Sequence, residues 1–96
     1  MNEAPVRLCA SVYGRVQGVN FRYYTQREAG SRGLTGWVAN CFDGSVEIVA
    51  EGEKQALHNF VTFLHRGPPS ARVDRVLTNW KEATGEFDRF RVRYLY

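Results

Sequence analysis

The sequence predicts an α+β sandwich in which two helices cover one face of an antiparallel sheet. The expected order is the ferredoxin-like β-α-β-β-α-β, with one extra C-terminal strand. Three observations carry this. Short runs alternate apolar and polar residues with a period of two, as half-buried strands do. One later run places Leu57, Phe60, Val61 and Leu64 at helical spacing. Turn signals at Gly33, Asp43-Gly44 and Gly67-Pro68-Pro69 divide the chain into short elements, with no linker, repeat or low-complexity segment. Ninety-six residues make one domain over 1–96, its core from about residue 6 to 94. Such a core buries roughly two-thirds of the unfolded surface.

The elements follow in order. Val6 to Tyr13 is a strand with Leu8, Ala10 and Val12 on one face and Cys9, Ser11 and Tyr13 on the other. A helix from about Phe21 to Arg32 stops at Gly33, which suits a left-handed C-terminal position. Leu34 to Asn40 is a short second strand, and Cys41-Phe42-Asp43-Gly44 is a hairpin turn with Asp-Gly as its signal. Ser45 to Glu51 places Val46, Ile48 and Ala50 inward and Glu47 and Glu51 outward. The helix carrying Leu57 to Leu64 ends at Gly67-Pro68-Pro69. Val73 to Glu82 is an irregular strand. In the terminal strand Phe90, Val92, Tyr94 and Tyr96 alternate with Arg89, Arg91 and Arg93.

Composition narrows the class. A hydrophobic fraction of 44% and a charged fraction of 24% are those of an ordinary soluble globular protein. No apolar run approaches membrane-spanning length, and Met-Asn-Glu-Ala-Pro lacks the features of a signal peptide. Cys9 and Cys41 form neither a metal-ligand pair nor a disulfide framework, which points to reduced thiols in a cytoplasmic protein. His58 and His65 flank the apolar stripe of the second helix and read as surface residues rather than ligands. Charge is unevenly spread. Through Phe42 five arginines stand against Glu3 and Glu28, while from Asp43 onward eight basic and eight acidic residues cancel. The whole net charge of +3 therefore sits in the first half, where it would attract a small anion.

That half contains Gly14-Arg15-Val16-Gln17-Gly18-Val19-Asn20-Phe21-Arg22, lying between the first strand and the first helix. Two glycines let the backbone curl and bring its N–H groups close to a ligand. The helix start adds unpaired N–H groups and the positive end of its dipole. Arg22 sits in the first turn, where a cation opposes the dipole unless an anion is bound between them. Guanidinium pairs bidentately with phosphate oxygens. These residues point to a small phosphorylated ligand.

The nine residues closely resemble the signature of the acylphosphatase family. Agreement continues in Gly36-Trp37-Val38-Ala39-Asn40, Asp43-Gly44-Ser45-Val46-Glu47, Ala50-Glu51-Gly52 and Gly67-Pro68, so that it spans about Arg7 to Tyr94. The resemblance implies the same sandwich fold and hydrolysis of small acyl phosphates to carboxylate and inorganic phosphate. It assigns phosphate binding to the loop of Arg15, Val16, Gln17, Gly18, Val19, Asn20 and Phe21, the clamp to Arg22, and placement of the attacking water to Asn40. It implies no metal and no organic cofactor. Such a reaction requires donors for the phosphoryl oxygens and a group to hold water in line, and carboxylate leaves without a general acid. Asn40 offers a donor and an acceptor, and the water's proton passes to a phosphoryl oxygen. Gln17 is expected to shape the loop, and Trp37 and Val38 to be core residues. Ala39 stands where many family members carry a larger, often basic, residue, a departure that bears on substrate attraction. No further domain is evident, unlike the related domains inside hydrogenase-maturation carbamoyltransferases. A free-standing monomeric enzyme is the expectation, with neither membrane nor nucleic acid as partner.

Two other readings compete with this one. Cys9 and Arg15 match the C-x5-R spacing of cysteine-dependent phosphatases, but Cys9 falls mid-strand rather than in a glycine-rich cradle. A non-catalytic ferredoxin-like module could bind an anion or RNA, with Arg89, Arg91 and Arg93 on phosphates. The aromatic RNA-recognition signature is missing from the central strands, and alternating arginines also guard an exposed sheet edge.

Overall fold

The structure, a computed structural model, describes residues 4–95. Its elements are β1 (Val6–Arg15), α1 (Phe21–Ser31), β2 (Thr35–Asn40), β3 (Val46–Gly52), α2 (Lys54–Arg66), β4 (Arg72–Glu82) and β5 (Phe90–Leu95). Every expected element is present, and β1 runs on through Gly14 and Arg15. Tyr96, expected in the terminal strand, lies outside the described residues.

The five strands are ordered β4-β1-β3-β2-β5. Both β1 and β2 pair antiparallel with β3, so β1 and β2 run in the same direction. Val46 faces Val12 on one side and Asn40 on the other, which brings the ends of β1 and β2 to one level at one end of the sheet. The sheet departs from the wholly antiparallel expectation at one pair: β5 lies parallel to β2. The cause is the path of the chain. β4 and β5 occupy opposite edges, four strand spacings or about 19 Å apart. The eight residue steps from Glu82 to Phe90 reach only about 27 Å when extended. The connection therefore crosses almost straight beneath the sheet, and β5 departs in the direction of β1 and β2.

One face of the sheet carries the core. Leu8, Ala10 and Val12 of β1, Val38 of β2, and Val46, Ile48 and Ala50 of β3 are buried against Phe21, Ala29, Leu57, Phe60 and Leu64 of the helices. The apolar stripe of α2 is buried as expected at Leu57, Phe60 and Leu64, joined by Phe63, with Val61 only partly covered. In α1 a narrower stripe, Phe21, Thr25 and Ala29, faces inward. His58 and His65 are exposed on α2.

Glu51 corrects the expectation that it faces solvent. It lies on the face away from the helices, yet the crossing connection covers it and leaves it 4% exposed. Its carboxylate accepts from the N–H groups of Thr84 and Gly85, from the Thr84 hydroxyl and from Arg7 Nε at 2.6 Å. Burial pushes its pKa up, but these donors outweigh burial and hold it below the ordinary carboxylate range. Arg7 also packs over the Phe87 ring at 5.1 Å. The taut connection is thus pinned at its middle.

Loss of that pin has a measurable cost. Glu51→Gln should lower stability by roughly 2 kcal/mol near neutral pH, since it removes the buried charge partner of Arg7 and leaves only the exposed Glu86, 3.1 Å away, to balance it. Because the folded pKa is depressed, the stabilisation is complete above the unfolded value of about 4.3 and is lost as pH falls through the folded value. Urea denaturation from about pH 7 to about pH 3 should show that acid loss in the wild type and a flatter profile in Glu51→Gln. Equal slopes would contradict the role of this carboxylate.

Candidate active site

The loop between β1 and α1 is launched by Gly14. Its φ of 134° and a register shift between Tyr13 and Gly14 turn the strand, and a Cβ there would collide with the Arg72 carbonyl oxygen. Gly18 and Asn20 follow with φ of 74° and 63°. Left-handed residues in a turn can aim neighbouring N–H groups toward one side, as anion-binding concavities do. Asn20 is also the N-cap of α1; its carbonyl accepts from Tyr24 at 3.1 Å, but it makes no side-chain capping bond. No acidic residue stands in the first turn. The first N–H groups of α1 thus open toward the loop.

Two side chains hold the loop from outside. Gln17 donates from Nε2 to the carbonyls of Cys41 and Ser45 at 2.7 and 2.8 Å, tying the loop to the β2–β3 turn. Ser70 donates to the Val19 carbonyl at 3.1 Å. The turn itself is closed by Cys41 N–H to Ser45 and Gly44 N–H to Cys41. Asp43 caps it, accepting from the Ser45 hydroxyl and N–H, and these bonds lower its pKa. The residues after Asn40 are therefore fixed to the loop that precedes α1.

Between loop, β2 and β5 lies a pocket of about 370 Å³. Val16, Gly18, Asn20, Phe21, Arg22 and Asn40 all line it, with Tyr23, Gln26, Val92 and Tyr94 completing the wall. Arg15, Gln17 and Val19 stand in the same loop without lining the pocket; Val19 is buried and Arg15 exposed. Arg22 is half-buried. Its Nη1 donates to the carbonyls of Arg93 and Tyr94 at 3.0 and 3.3 Å, and its guanidinium stands 5.7 Å from the Tyr94 ring. Among the described residues it has no carboxylate partner. Asn40 Oδ1 is buried, with no hydrogen-bond partner among the described residues. The loop, a cation and Asn40, with its unsatisfied acceptor buried behind the wall, thus border one space. The arrangement can receive a phosphoryl group and hold a small donor molecule beside it.

The family profile of acylphosphatase matches residues 9–92. The chain belongs to the acylphosphatase family. An acylphosphatase of Yersinia pseudotuberculosis is 49% identical over 90 residues, covering 93% of this chain and 97% of that one. An acylphosphatase of Thermococcus kodakarensis is 48% identical over 80 residues, covering 83% of this chain and 88% of that one. Among solved structures, the acylphosphatase from Bacillus subtilis is similar with a TM-score of 0.89 at 42% identity, covering 93% of this chain and 99% of that one. Full-length HypF, in a phosphate- and nucleotide-bound form, has a TM-score of 0.83 at 26% identity, covering 99% of this chain and 13% of that one.

Cys9 lies mid-strand opposite Val49 and Asn79, about 20 Å of extended chain from Arg15, so the two cannot form one cradle. Trp37 is only partly buried, on the open face beneath Arg93 at 4.8 Å, whereas Val38 is in the core as expected. Ala39 is fully buried and does not line the pocket. A wider groove of about 1030 Å³ near Lys54, His58 and Trp80 lies at the opposite end of the sheet. Among the described residues no three His, Cys, Asp or Glu side chains stand together as a metal site, and no helix is long and apolar enough to cross a membrane. The sequence did not signal the carbonyl bonds from β5 to Arg22, because they depend on its parallel course.

Gln17 offers the test of loop shape. Its two carbonyl partners keep other donors, so Gln17→Ala should cost only about 1 kcal/mol in stability. Inorganic phosphate measured by calorimetry should nevertheless bind several-fold more weakly. Unchanged affinity would show that the loop holds its shape without this tie.

Proposed function

We propose that this acylphosphatase binds the phosphoryl group of a small acyl phosphate on the loop from Arg15 to Phe21, clamps it with Arg22, and hydrolyses it with a water held by Asn40. The observation that carries the reading is that Arg22, the loop and Asn40, whose buried Oδ1 has no partner among the described residues, all border one pocket. The water oxygen attacks phosphorus in line. The bond from phosphorus to the acyl oxygen breaks, its electron pair leaving on the carboxylate. One proton stays on the new phosphate oxygen and the other passes to a phosphoryl oxygen, so the products are carboxylate and dihydrogen phosphate. Charge on the phosphoryl oxygens is met by guanidinium and backbone N–H groups that are already in place, which costs no reorganisation at the moment of reaction. Asn40 orients the water through its acceptor and takes no proton.

The same reading has the chain act as a cytoplasmic monomer without a metal. One chain's elements complete the pocket, and Cys9 and Cys41 are free thiols. Binding of RNA on the open face finds little support. Tyr13, Trp37 and Phe87 carry Arg75, Arg93 and Arg7 over their rings at 4.5, 4.8 and 5.1 Å, where bases would stack.

Hydrolysis of benzoyl phosphate near neutral pH with excess EDTA tests this. Arg22→Ala should lose about 10²–10³-fold in kcat/KM, with weaker binding as well. Asn40→Ala should lose kcat to a similar degree while KM stays near that of the wild type. Full turnover in Asn40→Ala would remove water placement from its role, and loss of wild-type activity in EDTA would overturn the metal-free mechanism.

A further inference from the structure

The loop before α1 is held near its end as well as at its middle. Ser70, from the turn between α2 and β4, donates its hydroxyl to the Val19 carbonyl at 3.1 Å. A trans peptide unit is flat, and its C=O and N–H point in opposite directions. The unit that carries the Val19 carbonyl also carries the Asn20 N–H. Drawing the carbonyl toward Ser70 therefore sends that N–H the other way. Asn20 lines the pocket, whereas Val19 and Ser70 do not. The bond to Ser70 thus leaves the Asn20 N–H on the pocket side of the loop.

That peptide unit has a reason to turn over. Asn20, with φ of 63°, is the one residue other than glycine with positive φ among the described residues. A residue with a Cβ is strained there. Turning the unit over would take Asn20 out of the left-handed region. It would also put a carbonyl oxygen where a phosphoryl oxygen needs a donor. The Ser70 hydroxyl opposes that rotation by holding the carbonyl.

The segment bearing Ser70 is itself fixed. Pro69 sets φ at the first inner position of a turn that the Ala71 N–H closes on the Pro68 carbonyl at 3.0 Å. Gly67 and Pro68 are buried, and a Cβ on Gly67 would press on Val73 and Phe21. Arg72 and Val73, next along the chain, pair with Arg15 and Gly14, where the loop begins. Turn and loop therefore share one frame.

We propose that Ser70 is a positioning residue for the reaction, its bond to the Val19 carbonyl keeping the Asn20 N–H aimed at the phosphoryl group. This rests on the acyl phosphate reading of the site and adds to it a residue 51 positions along the chain from its bonding partner. Ser70 touches no substrate. Without its hydroxyl the loop divides between aimed and turned-over forms, and apparent affinity falls with the fraction that is aimed. Bound phosphate restores the aimed form, so the chemical step keeps its rate once the site is filled.

Steady-state hydrolysis of benzoyl phosphate and calorimetric titration with inorganic phosphate test this in wild type, Ser70→Ala and Ser70→Thr. Ser70→Ala should raise KM and the phosphate Kd by the same factor, about fivefold, with kcat near that of wild type. Ser70→Thr keeps the hydroxyl and should stay near wild type in both. Ser70 is exposed, so the thermal midpoint of Ser70→Ala should move little. Made in an Asn20→Gly background, the same change should cost about twofold or less, because glycine takes positive φ without strain. A general loosening of the loop would cost the same in both backgrounds. Unchanged KM and phosphate Kd in Ser70→Ala, or equal losses in the two backgrounds, overturns the proposal and leaves the acylphosphatase reading intact. A folded wild type that neither binds phosphate nor turns over the substrate would overturn both.

Discussion

Arg22 occupies a place that electrostatics disfavours, and most of the architecture at this end of the molecule follows from keeping it there. A cation in the first turn of a helix faces the positive end of the dipole. What offsets this is the carbonyl edge of β5, where Arg93 and Tyr94 accept from its guanidinium. Those carbonyls reach Arg22 only because β5 runs parallel to β2 and ends on the same side as the loop. The parallel course depends on the taut connection from β4, and Glu51 pins that connection at the far end of the sheet. A buried carboxylate at one end thus supports the aim of an arginine at the other.

The site gathers several features that are unfavourable while it is empty. Asn20 is left-handed without being glycine, Asn40 Oδ1 is buried with no partner among the described residues, and the first turn of α1 has no acidic side chain to balance its N–H groups. Each is unfavourable in an empty pocket, and the proposed phosphoryl group and water would relieve it. The core that offsets these costs is continuous, formed by the inward faces of β1, β2 and β3 against both helices. A rigid scaffold carrying an unsatisfied site suits phosphoryl transfer, where positioning and fixed charge supply most of the rate.

Much of this was legible in the residues. Period-two alternation located β1 and β3 with the correct inward faces, because one face of each strand is buried and the other is not. The stripe of α2 and the Gly-Asp punctuation were equally direct. The loop and Arg22 were readable as candidates, since glycine spacing and the helix start are local signals, whereas Asn40, at a strand end, was marked only by the family resemblance. Three features were not. Glu51 continued an alternating pattern that implies exposure, and only the connection folded across it makes it buried. The direction of β5 depends on the distance between opposite sheet edges, which no local pattern records. Tyr23 and Tyr94 lie far apart in sequence and meet in one pocket only through that parallel strand.

In the proposed mechanism the loop N–H groups and Arg22 form one preorganised phosphate site. Titration of the isotope-labelled protein with inorganic phosphate, followed by NMR, tests it most directly. Shifts concentrated on the amides of residues 15–23 and on Arg22 Nε, at saturable concentration, are the predicted result. Shifts centred instead on Arg89, Arg91 and Arg93, with the loop amides unmoved, would contradict it.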